Sequence, residues 1–122
     1  GGGSIINLAS IYGVVAPDFS IYNGTEMTMP AAYASIKAGI VAMTKYIATY
    51  FGGDGIRANT ISPGGIFDNQ APSFVEKYSQ KTPMGRMGKP QEIVGAVIFL
   101  ASDASSFVTG QNILVDGGWT AW

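Results

Sequence analysis

The chain contains no cysteine and no histidine among its 122 residues. The first absence excludes disulfides and thiolate metal sites and fits a cytoplasmic setting. The second excludes a histidine-based nucleophilic triad and the common histidine-containing zinc sites, so no metal site is expected. Charge is scarce as well. Charged residues make up 12% and apolar ones 47%, and seven basic against eight acidic side chains leave a net charge of −1. Without a basic stripe, nucleic acid is not an expected partner. No apolar run reaches the ~18 residues that a membrane span requires, so no membrane association is expected. The composition is nonetheless too apolar for a disordered segment. With so few charges, part of the apolar surface is expected to meet another chain or another part of the same one.

What the chain does contain is an alternation of short apolar runs and helical periodicity. Residues 4–9 form an apolar run bounded by glycine and serine, as in a buried strand of a parallel sheet. Residues 11–31 read as a loop punctuated by Pro17, Asn23-Gly24 and Pro30, and its length is that of a lid or binding segment. Residues 32–51 carry the strongest helical pattern. Ile36, Ile40, Met43 and Ile47 form its apolar stripe, with Tyr33, Lys37 and Thr44 on another face. Glycines 52, 53 and 55 end it, and residues 56–62 read as a second strand stopped by Pro63-Gly64-Gly65. Residues 73–80 suggest a short helix. Pro90 opens another, at a position where its missing N–H costs nothing, with Ile93, Val97 and Leu100 as its apolar face. Residues 112–116 read as a third strand, followed by an aromatic tail. Strand, helix, strand, helix, strand implies an α/β fold with a parallel sheet. A three-stranded sheet has two edges, and at least one is expected to want a partner.

Within the long helix, Tyr33 and Lys37 are spaced i and i+4. At that spacing Cβ atoms lie roughly 5–6 Å apart on one helix face. A cation so placed favours the ionised form of a phenol, and a phenol tuned that way exchanges protons with a substrate hydroxyl or carbonyl. The same pair also occurs as a solvated feature of an amphipathic helix. Likewise Ser10 reads either as a hydroxyl serving chemistry or as a turn residue bonding its own backbone. Pro63-Gly64-Gly65 is a turn under any reading.

Four motifs fall in register: Asn7-Leu-Ala-Ser10-x-x-Gly13, Tyr33-x-x-x-Lys37, Asn59-x-Ile-Ser-Pro63-Gly64, and Thr109-Gly110-Gln111 followed by Val115-Asp116-Gly117-Gly118. In this order they resemble the C-terminal half of the short-chain dehydrogenase/reductase family, over essentially the whole chain. The resemblance implies a partial Rossmann-like parallel sheet. It implies NAD(P)-dependent interconversion of an alcohol and a carbonyl by hydride transfer. Ser10 matches the serine that polarises the substrate carbonyl, Tyr33 the acid/base, and Lys37 the lysine that tunes the tyrosine and bonds the nicotinamide ribose. Pro63, Gly64, Gly65 and Ile66 match the turn beside the nicotinamide, so these four with Tyr33 and Lys37 form the expected cofactor contacts. NAD and NADP remain equal alternatives. The family's habit of forming dimers or tetramers through the tyrosine-lysine helix implies a homo-oligomer.

Departures from the family pattern matter as much. The glycine-rich phosphate-binding turn, the ribose selector and the helix with the family's catalytic asparagine are absent from these residues. The opening glycines match relatives that read Gly-Gly-x-Ile-Ile-Asn at this point. Residues 1–122 are thus expected to be one incomplete Rossmann-like domain that contacts only the nicotinamide end of a cofactor. The alternative is a truncated chain that folds and oligomerises without cofactor or catalysis. Asp68 stands where many relatives have threonine. Residues 16–30 are an insert between Ser10 and Tyr33 that is similar to a subgroup linked to bacterial surface-polysaccharide and flagellin-glycan biosynthesis. That similarity points to a sugar or sugar nucleotide substrate, with Tyr12, Tyr22 and Phe67 as lining residues. Packing of these aromatics against a neighbouring subunit is the competing account.

Overall fold

The computed structural model describes residues 1–122. It has three strands and three α-helices in the order β1 (Gly3–Leu8), α1 (Ala31–Phe51), β2 (Ile56–Pro63), α2 (Pro72–Lys81), α3 (Gln91–Ala101) and β3 (Asn112–Val115). The boundaries differ from the sequence expectation by a residue or so. Pro72 sits in the first turn of α2, where its ring needs no hydrogen bond. The loop before α1 is not featureless, since it contains two 3-10 turns, Ile11–Gly13 and Phe19–Tyr22.

β2 lies between β1 and β3, and both pairings are parallel. Residues 58–62 of β2 are fully buried, as the middle strand of a sheet covered on both faces must be. Successive strand residues point to opposite faces, and the hydrogen bonds show what covers each one. Asn7 Nδ2 donates to Thr44 Oγ1 of α1 at 2.9 Å, whereas Ser4 Oγ donates to the Leu100 carbonyl of α3 at 2.7 Å. α1 and α3 therefore pack on opposite sides of the sheet. Arg57 of β2 secures α3 by donating to the Leu100 and Ser102 carbonyls and to Ser105 Oγ. Its charge complements the negative end of the helix dipole.

The face that α1 turns to the sheet corrects the sequence expectation. Thr44 and Ala48 are buried at 1% and 5% exposure, while Ile36 and Met43 of the expected core stripe stand 63% and 52% exposed. Tyr33, Lys37, Thr44 and Ala48 recur at helical spacing, so the chemically interesting face is also the packed one. Small side chains there let the helix approach the sheet closely. The larger apolar residues are left on a neighbouring face because α1 is apolar around most of its circumference. Periodicity reveals an apolar stripe on such a helix without saying which stripe faces the core.

The main buried cluster lies beyond the C-terminal ends of the strands. Ile11, Tyr12 and Ile21 of the loop meet Phe74 and Tyr78 of α2, together with Met87 and Trp119. No helix is long and apolar enough to cross a membrane.

Candidate active site

Three chain segments converge at the C-terminal ends of the parallel strands, where open α/β sheets bind ligands. The first is the turn after β1. Ser10 is nearly buried and its Oγ accepts a hydrogen bond from the Tyr12 amide at 3.1 Å. The turn-residue reading of Ser10 therefore holds as local geometry, and it leaves the hydroxyl proton free of any protein partner. Gly13 fixes this turn against α1. A Cβ there would lie 2.8 Å from the Lys37 carbonyl carbon and 2.9 Å from the Ala38 nitrogen, so only glycine allows this approach.

The second segment is the first turn of α1. Tyr33 donates its backbone N–H to the Pro30 carbonyl at 3.0 Å and is half-buried. Lys37 Nζ stands over the Tyr33 ring, 5.4 Å from its centroid, within the range of a cation–π contact.

The third is the turn after β2. Gly64 N donates to the Val115 carbonyl at 2.9 Å, and Gly65 N donates to Tyr78 Oη at 2.5 Å. A parallel bridge pairs Ile66 with Gly88, and Phe67 N donates to the Gly88 carbonyl at 2.9 Å. Three of the four amides from 64 to 67 are thus engaged, and that of Ile66 is left without a protein acceptor. Gln70 braces the same loop by bonding the Ile66 carbonyl and the Asp68 amide.

Ser10, Tyr33, Gly64, Gly65 and Ile66 line one cleft of about 270 Å³. Of the other expected site residues, Lys37 and Pro63 do not line it. Lys37 reaches the site only through the Tyr33 ring, and Pro63 closes β2 just before the turn. The far wall comes from the 14–30 loop and α2, with Tyr22, Met27 and Met29 on one side and Phe74 and Tyr78 on the other. Loop and helix are tied together. Lys81 Nζ donates to Asp18 Oδ2, Lys77 Nζ donates to the Asn23 carbonyl at 2.9 Å, and the Tyr22 and Phe74 rings lie 5.3 Å apart. Phe67, expected beside Tyr12 and Tyr22, instead lies exposed outside the cleft, because the Phe67–Gly88 bond turns that stretch away.

Burial raises three of the tyrosines that line the cleft. Burial pushes Tyr78 up to about 12, only partly offset by the hydrogen bond from Gly65. Burial also raises Tyr12, reinforced by its bond to the Tyr22 hydroxyl, and raises Tyr22, which that same bond opposes. These three are held as neutral phenols near neutral pH and serve as walls and hydrogen-bonding groups. Asp116 follows β3. Partial burial works to raise it, but bonds from Thr120 and Gly118 prevail and hold it below the ordinary carboxylate value. It organises the chain end and does not line the cleft beside Tyr33.

Sequence reasoning did not single out Tyr78 or Gln70. Tyr78 follows Phe74 by four residues, a spacing that marks one face of α2 but not the distant glycine it meets.

A family model described as "Enoyl-(Acyl carrier protein) reductase" matches residues 1–120. Post-translational flagellin modification protein A of Campylobacter coli is 46% identical, over 96% of this chain and 46% of its own length. A short chain dehydrogenase from Leptospira borgpetersenii, solved with bound NAD+, superposes with a TM-score of 0.88 at 54% identity. The chain belongs to the short-chain dehydrogenase/reductase family. The α/β architecture with its parallel sheet is the Rossmann-like fold of that family. The solved dehydrogenase is covered over 44% of its length by 97% of this chain. A gluconate 5-dehydrogenase from Burkholderia cenocepacia, in complex with NADP and tartrate, superposes with a TM-score of 0.83 at 34% identity. It too is covered over less than half its length, 46%, by 99% of this chain. The chain therefore spans a little under half the length of each of these three relatives.

Proposed function

We propose that residues 1–122 supply the acid/base half of an NAD(P)-dependent oxidoreductase that interconverts an alcohol and a carbonyl. The observation that carries this reading is the convergence of Ser10, Tyr33 and the 64–66 turn on one cleft. In the oxidation direction, Ser10 donates its free hydroxyl proton to the substrate oxygen and positions it. Tyr33 Oη, in its ionised form, takes the substrate's hydroxyl proton as the carbonyl forms and becomes a neutral phenol. Lys37, over the ring, offsets the negative charge that Oη carries before that transfer. In reduction Tyr33 returns the proton. A nicotinamide, when bound, accepts or supplies the hydride. The turn suits it, because the free Ile66 amide matches a carboxamide oxygen. Pro63 fixes where that turn begins. The insert's likeness to polysaccharide-linked enzymes supports a carbohydrate among the substrates.

Association of copies belongs to the same reading. Ile36, Met43, Tyr46 and Tyr50 leave an exposed apolar strip on α1, and Val94 and Ile98 do so on α3. Surface of this kind favours a homodimer or tetramer.

The test is Tyr33→Phe in a full-length protein carrying this segment. Turnover should fall by about 100- to 10,000-fold, the usual worth of general acid/base catalysis, with cofactor affinity kept. Surviving turnover would remove Tyr33 from the proton transfer. Titrating NADH and NADPH into the 122-residue chain decides the competing reading of an inert fragment, which tight binding would refute.

A further inference from the structure

The cleft beside Tyr33 has a chemical character that goes beyond its acid/base groups. No Asp, Glu, Lys or Arg lines it, and its polar side chains apart from tyrosines are Ser10, Thr28 and Gln70. Gln70 is committed on both ends, to the Asp68 amide and the Ile66 carbonyl. A carboxylate or phosphate entering this space would meet no cationic side chain in its lining, and an unpaired charge removed from water is costly.

One further polar feature belongs to the cleft wall. The hydroxyls of Tyr12 and Tyr22 meet at 3.0 Å. Whichever of them donates, the pair keeps one unused O–H and unused lone pairs. A substrate hydroxyl, itself both donor and acceptor, complements such a pair. Both rings are held independently of any ligand. Tyr12 belongs to the buried cluster, and Tyr22 packs on Phe74. Tyr22 sits in the insert, tied to α2 at Asp18 and Asn23, so the position of its hydroxyl is set by tertiary contacts.

We infer that this cleft selects an uncharged substrate and that the Tyr12–Tyr22 hydroxyl pair binds a second hydroxyl of it, distinct from the one being oxidised. This rests on the alcohol-oxidising reading above. It makes Tyr12 and Tyr22 specificity residues, and it distinguishes this site from one built for an acidic polyol.

The probes are cyclohexanol, the three cyclohexanediol regioisomers and the hydroxycyclohexanecarboxylates, offered with NAD+ and NADP+ to a full-length protein carrying this segment. The best diol should exceed cyclohexanol in kcat/KM by about 10-fold, the worth of a hydrogen bond that displaces water. The carboxylates should fall below cyclohexanol by about 10-fold or more. Tyr22→Phe and Tyr12→Phe each keep the ring and remove the hydroxyl, and each should bring the diol-to-cyclohexanol ratio close to one. A carboxylate that matches the best diol, or a ratio that survives in both variants, overturns the inference. If nothing is turned over, binding is read in its place. Ligand-observed NMR with the same panel then decides the pair's role. Diol binding that weakens in both variants supports it, and equal binding of diol and cyclohexanol overturns it.

Discussion

Gly13→Ala offers a sharp test of how the serine turn is set against the tyrosine helix. A Cβ at Gly13 would sit 2.8 Å from the Lys37 carbonyl carbon and 2.9 Å from both the Lys37 oxygen and the Ala38 nitrogen. Carbon atoms pack best at about 3.5–4.0 Å, so the turn must retreat by roughly 0.7 Å or more. The neighbouring atoms are helix backbone, held by the α1 ladder, and they cannot rotate aside. The Gly13 amide donates to the Ser10 carbonyl at 2.9 Å, so the displacement is carried to the serine itself. Overpacking of this kind costs about 1–3 kcal/mol. In a chain this size that lowers Tm by something on the order of 5–10 °C. A misplacement of about 1 Å can reduce turnover about 100-fold, so a loss of about 10- to 100-fold is expected in a full-length enzyme. Gly39→Ala is the matched control. Its Cβ meets nothing within 4 Å, and it lies within the exposed surface of α1. Alanine there should stabilise by about 0.5–1 kcal/mol. Urea unfolding followed by circular dichroism measures both variants. If the two substitutions shift stability in the same direction, or if Gly13→Ala leaves stability and turnover intact, the close approach does not govern the site.

Further outcomes follow from other contacts. Gly65→Ala would place a Cβ 2.6 Å from Tyr78 Cζ, and that ring cannot retreat because it stacks on Trp119 at 4.2 Å. A loss of about 1–3 kcal/mol is expected, and it should largely vanish in a Tyr78→Ala background in a double-mutant cycle. Lys81, followed by Ser20, holds the Asp18 carboxyl at about 2 instead of 3.8. Because the folded value is the lower one, the stabilisation is present above pH 3.8 and disappears as pH falls towards about 2. Asp18→Asn should therefore cost at most about 1 kcal/mol at neutral pH, with the Tm gap to the parent closing across that window. A gap that persisted at the acid end would exclude the ion pair as its source. Arg57→Met keeps the stem and removes the donors to Leu100, Ser102 and Ser105. It should destabilise by about 1.5–3 kcal/mol, and hydrogen exchange should show faster opening in the last turn of α3 than in α1.

Much of the architecture was legible in the chain because it is written locally. Apolar runs at residues 4–9, 56–62 and 112–116 marked the strands to within a residue or so, and their alternation with helical periods required parallel pairing. The Tyr33–Lys37 relation is equally local, since i and i+4 share a helix face whatever the surroundings. The motif series carried Ser10 and the 63–66 turn as well. Other features depend on distances that no local pattern encodes. Ile36 and Met43 looked like core, yet close packing of Thr44 and Ala48 on the sheet took that place. Phe67 looked like a cleft residue, but the bridge to Gly88 turned its loop outward. Tyr78 is bonded to an amide 13 positions away, and the Lys81–Asp18 pair spans 63. By itself, the sequence determined which elements form, their parallel order, and the helical face on which Tyr33 and Lys37 stand. Only the tertiary structure decided which side of α1 meets the sheet, that three segments share one uncharged cleft, and that Tyr12 and Tyr22 join hydroxyls in its wall. The physical reason is that helix and strand periods arise from neighbours along the chain, whereas a cleft is made by side chains whose meeting depends on how whole elements pack.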